Sequence, residues 1–156
     1  MATTKQGPPS GVLETMQGLW GLAHALEARS KWMHRRFGVT GPQRLLLRVI
    51  GGSPGCSPGD AARQLRLHKA TVTRLLAGLE RLELVERHAD TIDARRQRLA
   101  LTAKGRRVYA LKAGTVEAAV QTTLQAAPPR EHQAALRFIS RLTDALTPDA
   151  KPGEER

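Results

Sequence analysis

Apolar positions recur at steps of three and four along most of this chain, interrupted by Gly, Pro and short polar clusters. That spacing predicts helices. The first run extends from about Val12 to Phe37 through Leu13, Met16, Trp20, Ala23, Leu26, Trp32 and Met33, and Gly38 ends it. Its apolar residues fall on more than one side, which implies packing against something beyond its own domain. Thr40-Gly-Pro-Gln43 opens a second helix, reaching Ile50, with Thr40 as cap, Pro42 in the first turn and Gln43 at the reciprocal capping-box position. After a Gly-rich loop at 51–55, Ser57-Pro-Gly-Asp60 opens a third helix in the same way, and Asp60 suits the positive end of its dipole. That helix ends near Arg66, and a tight turn at Leu67-His68 leads into a fourth that runs to Arg81.

The fourth helix has two distinct faces. At 100° per residue, Val72, Leu75, Leu76 and Leu79 form a buried stripe. Ala70, Thr73, Arg74, Ala77 and Arg81 fall opposite it. Small residues let a helix backbone approach base edges, an Arg among them can reach guanine O6 and N7, and a methyl can touch thymine. An ordinary amphipathic helix with a solvated face would share this pattern, so the flanking segments decide. Two short helices joined by a tight turn, the second with a small-residue basic face, make a helix-turn-helix.

Periodicity then changes from helical to alternating. Residues 84–88 and 96–101 read as two antiparallel strands joined by the polar connection Ala89-Asp-Thr-Ile-Asp-Ala-Arg95. Such a ribbon after a helix-turn-helix is a wing. Thr102 caps a further helix expected to run unbroken from about Ala103 to Ala126, with Val108, Leu111, Thr115, Val116, Ala119, Val120, Thr123 and Leu124 as its stripe. Pro128-Pro129 breaks it, and a last helix reaches Leu146 with Leu136, Ile139, Leu142 and Leu146 on one side.

The expected organisation is a tail at 1–10, an N-terminal dimerisation helix at 11–38, a winged helix-turn-helix at 39–102, C-terminal dimerisation helices at 103–147 and a tail at 148–156. The fold class is mainly α with a small β-wing. The long helices have no other element to cover them, and a second copy of the chain is the economical cover, so a symmetric homodimer is expected.

Charge narrows the partners. The 156 residues carry 25 Lys+Arg against 14 Asp+Glu, a formal net charge of +11. That favours polyanions, with DNA or RNA first and an acidic membrane surface second. Aromatic residues are 3% of the chain, which argues against stacking on single strands. One cysteine, Cys56, makes no internal disulfide and suits a reducing compartment. No signal-like or membrane-length apolar segment is present, so a cytoplasmic location without membrane partners is expected. His24, His34, His68, His88 and His132 lack tight metal spacing. No nucleophile–base pair or phosphate loop appears, so neither an enzyme nor a cofactor is expected.

Three blocks resemble the MarR family of transcriptional regulators. Val39-Thr-Gly-Pro-Gln-Arg-Leu-Leu-Leu47 is similar to its opening helix, Leu65 through Arg87 to its recognition helix and first wing strand, and Asp93-Ala-Arg-Arg-Gln-Arg-Leu-Ala-Leu-Thr-Ala-Lys-Gly105 to its wing signature. The blocks occur in the family's order, and the likeness spans roughly 12–146. Glu83 departs from the pattern, since the family usually has Gly there.

The resemblance implies a sequence-specific DNA-binding regulator, a repressor that binds a pseudo-palindromic operator as a homodimer. A non-specific architectural DNA binder is the rival reading; it explains the charge but not the small-residue face. The resemblance implies that Arg95 enters the minor groove and that Asp93 pairs with a nearby Arg to hold the wing. Lys69, Thr73 and Arg74, with Ala70 beside them, are base and phosphate candidates. His68, Thr71 and Ser57 are phosphate candidates at helix N-termini, although Ser57 serves equally as a pure cap. Arg96 and Arg98 are candidate backbone contacts. Family members bind small aromatic or anionic effectors between the first helix and the winged module, which here points to Trp20, His24, Trp32, His34, Arg36, Phe37 and Tyr109. Trp20, Trp32 and Phe37 serve equally as core or dimer interface. Peroxide sensors of the family carry their reactive cysteine in the first helix, where this chain has none, so Cys56 reads as structural.

Overall fold

The computed structural model describes residues 10–91, 93 and 96–147. Among them, seven helices and one two-stranded sheet follow in the order α1 (Ser10–Phe37), α2 (Gly41–Gly52), α3 (Pro58–Leu65), α4 (Lys69–Arg81), β1 (Val85–Ala89), β2 (Gln97–Leu101), α5 (Ala103–Tyr109), α6 (Val116–Ala126) and α7 (Pro129–Leu146). Apart from Ser10, which begins α1, the expected tails lie outside the described residues. The chain divides into two compact units, Met1–Val116 and Glu117–Arg156.

The first unit is built on α2, α3 and α4. Two reciprocal capping boxes start α2 and α3: Thr40 with Gln43, and Ser57 with Asp60, each followed by Pro in the first turn. Leu46, Leu47 and Ile50 of α2, Ala61 and Ala62 of α3 and Val72, Leu76 and Leu79 of α4 share one core with Val39, Cys56, Leu84, Val85 and Leu99. The turn between α3 and α4 places Arg66 in the left-handed region at φ 52°, and Leu67 N–H bonds back to Ala62 O at 3.0 Å. β1 and β2 pair antiparallel with Val85 opposite Leu101 and Ala89 opposite Gln97. The loop before α3 joins this ribbon at its root, where Gly55 N–H donates to Leu99 O at 3.0 Å and Leu99 N–H to Cys56 O at 2.9 Å. The wing therefore grows directly out of the helix-turn-helix core.

α1 is anchored near its C-terminal end. Met33 is fully buried, and Ser30 Oγ accepts from the first amide of α2, Gly41, at 2.8 Å. Towards its N-terminus it leaves Val12, Leu13, Met16, Trp20, Leu22 and Leu26 exposed.

The expected single helix from Ala103 to Ala126 is two helices. Regular bonding stops after Tyr109, and residues 110–115 form an elbow. Two features enforce the break. Gly114 adopts φ +72°, and a Cβ there would come within 2.6 Å of Trp32 Cη2. Arg44 of α2, only 1% exposed, draws off the carbonyls at the end of α5: Val108 O, Tyr109 O at 3.2 Å and Leu111 O at 2.7 Å accept from its guanidinium. At the other end of α5, Thr102 caps Gly105 N–H and donates its own hydroxyl to Glu83 O at 2.7 Å. Gly105 packs its Cα directly on Leu84 O, where no side chain fits.

In the second unit, α6 and α7 are separated at Pro128-Pro129 as expected, and neither helix buries a residue. Val120, Leu124, Leu136, Phe138, Ile139 and Leu146 are all exposed.

Candidate nucleic-acid interface

α4 presents the two faces that its periodicity predicts. Val72, Leu76 and Leu79 are buried and Leu75 half-buried, whereas Ala70, Thr73, Arg74, Ala77 and Arg81 are exposed. Lys69 and His68 are exposed at its start, and Thr71 is half-buried beside them. His68 occupies the N-cap without a side-chain capping bond. Thr73 commits its hydroxyl proton to Lys69 O at 2.9 Å, which leaves its oxygen lone pairs and its methyl facing outward. Gly78, on the inner side, lets Gln43 of α2 approach closely.

The wing contributes a second basic element. Arg95, the residue expected in the minor groove, lies outside the described residues. Arg96 is exposed with its Nε 3.7 Å from Asp93 Oδ2, the pairing expected for Asp93. Arg98 is held more tightly, its Nε donating to Asp90 Oδ2 at 2.7 Å. That Asp90 carboxylate is 8% exposed, and the Asp90 amide donates to Arg96 O at 2.9 Å. Arg98 also lies across Gly55, so its guanidinium is fixed against the loop before α3 while about half of the side chain stays exposed.

Ser57 acts as a cap in this structure. Its hydroxyl donates to Asp60 Oδ2 at 2.7 Å, and its oxygen accepts from Asp60 N–H at 3.1 Å. Hydrogen bonds from the Ser57 hydroxyl and amide, with help from Arg63 and Arg96, hold the Asp60 carboxyl below its ordinary pKa. Burial, reinforced by the Asp60 charge, pushes the Cys56 thiol up. A raised thiol pKa means little thiolate, which fits a structural Cys56.

The residues expected around an effector separate into groups. Trp32 and Phe37 meet edge to face at 5.4 Å, with Arg29 over the Trp32 ring at 5.4 Å. Tyr109 stacks under Arg48 at 4.5 Å and covers Gly51. Trp20 and His24 are exposed near the middle of α1, and His34 and Arg36 are exposed in its last turn. Two clefts border the wing root, lined by Ser53–Cys56, Asp60 and Arg63 and by Ser57, Asp90 and Arg96–Arg98; none of the seven expected effector residues lines either. Among the described residues, no cluster of His, Cys, Asp and Glu could hold a metal ion and no helix is long and apolar enough to cross a membrane.

Sequence reasoning missed three residues that fix elements in place. Asp90 fastens Arg98 from a buried position. Arg44 looks like one more charge in the second helix, yet it fixes the end of α5. Arg87 binds Glu80 and Gln97 together. A detectable signal existed only for Arg44, a lone cation within an apolar run.

A family model described as MarR family matches residues 37–96, from the end of α1 through the wing. Over these residues the chain is similar to the MarR family. The transcriptional regulator HosA of Escherichia coli is 35% identical over 81 residues, which cover 52% of this chain and 60% of that protein. The chain thus matches three-fifths of the length of this curated relative. The S. aureus MepR–DNA complex superposes with a TM-score of 0.66 at 21% identity, over 90% of this chain and 100% of that one. PcaV from Streptomyces coelicolor, solved with its natural ligand, gives 0.67 at 23% identity over 94% and 100%. At these identities the two structures establish the shared winged-helix fold. The departure from the MarR family pattern at Glu83 has a structural counterpart, because Glu83 sits at φ 59°, the left-handed conformation that glycine adopts without strain.

Proposed function

We propose that this protein is a sequence-specific double-stranded DNA-binding transcriptional regulator that acts as a homodimer and represses its target. The observation that carries the reading is the outer face of α4: small residues around an exposed Arg74, on a helix whose inner face is locked into the core. The match of residues 37–96 to the MarR family model and the names of the relatives, a transcriptional regulator and a DNA complex, support it. Each α4 reads half of a pseudo-palindrome, and the half-sites lie about one helical turn apart. Arg74, Lys69 and Thr73 serve base and phosphate contacts. His68 and Thr71 meet phosphate, Arg95 and Arg96 act from the wing, and Arg98 follows the backbone.

The dimer reading is supported by the apolar residues left uncovered on the N-terminal half of α1 and along α6 and α7. A second copy of the chain covers them. A small aromatic or anionic effector releases the DNA; the aromatic corner of Trp32 and Phe37 under Arg29, and the ligand-bound state of PcaV, support that step.

The test is binding to the DNA upstream of this protein's own gene against a scrambled duplex of equal length, at about 150 mM salt, where phosphate contacts alone no longer dominate. Selective binding that Arg74→Ala and Arg95→Ala both weaken is expected. Equal binding to both duplexes, and to duplexes enriched by selection from random sequence, would favour the architectural reading.

A further inference from the structure

α4 and the wing are joined by a side-chain clasp. Glu80, in the last turn of α4, receives two donors of Arg87 from β1: Nε to Oε1, and Nη2 to Oε2 at 3.1 Å. The third donor, Nη1, goes to Gln97 Oε1 of β2 at 2.8 Å. One guanidinium therefore bridges α4 and both strands. The Arg87 and Glu80 side chains are 29% and 32% exposed, so solvent only partly screens the pair.

The location makes the clasp mechanically important. A two-stranded ribbon of this length has little stability of its own in water. Its root is held in the core by Val85 and Leu99, while Glu86, His88, Ala89, Gln97 and Arg98 are exposed. Arg87 is the next position after Val85 on the same face of β1, between the buried root and the loop. On the helix side, a carboxylate in the last turn faces the negative end of the helix dipole and is disfavoured there. The Arg87 guanidinium offsets that repulsion. Its three acceptors call for a planar fork, which an ammonium does not reproduce.

We propose that Arg87 is a positioning residue that sets the wing against α4 and so couples recognition of flanking DNA by the wing to half-site reading by the helix. The inference rests on the DNA-binding function proposed above. Arg87 acts through the wing and not on a base.

The experiment compares wild type, Arg87→Gln, Arg87→Lys and Glu80→Gln as full chains at one salt concentration. Each is titrated onto the selected operator, onto that operator altered in the flanks reached by the wing, and onto one altered within a half-site. Wild type loses about tenfold on either alteration. In Arg87→Gln and Glu80→Gln the flank penalty falls below about twofold while the half-site penalty stays near tenfold, and Arg87→Lys lies between. Thermal melting monitors the fold in parallel. Full flank discrimination by Arg87→Gln would overturn the inference. So would flank and half-site discrimination falling in proportion in Arg87→Lys, because that pattern marks a general loss of structure. Wild type reading the half-site but not the flank overturns the coupling alone, whereas wild type indifferent to both overturns the DNA reading beneath it.

Discussion

Arg44→Met tests the account of the elbow after α5. The Arg44 guanidinium is inaccessible to solvent and serves the carbonyls of Val108, Tyr109 and Leu111. Met fills similar length but donates nothing. Hydrogen bonds to a charged donor contribute about 1.5–3 kcal/mol each, and a partly buried acceptor left alone carries a similar penalty. Against that, Met avoids the desolvation of a buried cation, which is several kcal/mol. The balance predicts a loss of about 3 kcal/mol, within the range for breaking a buried ionic contact by removing one side. For a chain of this size that lowers the thermal midpoint by roughly 6–12 °C.

Arg44→Lys retains the charge but reaches fewer of the three carbonyls, so it should lose about half as much. Circular dichroism melts at one fixed protein concentration measure both, because association would make the midpoint depend on concentration. Hydrogen exchange adds a local signature, with faster exchange at 110–115 in Arg44→Lys than in α2. If Arg44→Met melts within about 2 °C of wild type, the capping account is wrong, since that shift corresponds to no more than about 1 kcal/mol.

Other substitutions probe the remaining strained or capped positions. Glu83→Gly relieves a left-handed conformation that costs an L-residue about 1–2 kcal/mol, less the extra entropy of glycine, and should raise the midpoint by about 2 °C; a fall would refute it. The Lys104 contact it removes is 3.7 Å long and largely exposed, and contributes little. Gly114→Ala adds a methyl into the Trp32 ring at a positive φ, and should lower stability by about 2 kcal/mol and shift tryptophan emission; unchanged emission and midpoint would show that the elbow accepts a side chain. The Asp60 carboxyl has a depressed folded pKa, so its stabilising contribution is present above the ordinary carboxylate range, about pH 4, and is lost as pH falls through the folded value. Ser57→Ala should therefore lower the midpoint at pH 7, with a difference that narrows in acid; a difference that stays constant to pH 2 would remove Asp60 from the explanation.

What could be read from the sequence divides by distance along the chain. Thr40, Ser57 and Thr102 cap helices whose partners lie three residues away, so their roles follow from local pattern alone. The two faces of α4 follow from its period. The elbow at 110–115 is hidden because Leu111, Thr115 and Val116 continue the helical stripe across it, and its causes, Trp32 and Arg44, come from α1 and α2. The wing shows the same division. Asp93 stands out through its motif, and Arg96, three positions on, lies 3.7 Å from its carboxylate. Asp90 reaches across the ribbon to Arg98, and Glu80 crosses from a helix to a strand to meet Arg87, contacts that no local spacing encodes. Local pattern therefore identifies the groups that can face DNA, while contacts between distant elements fix where those groups stand. The consequence is specific: Asp90 and Arg87 lie off the exposed α4 face, yet their loss should alter how that face and the wing act together on one duplex.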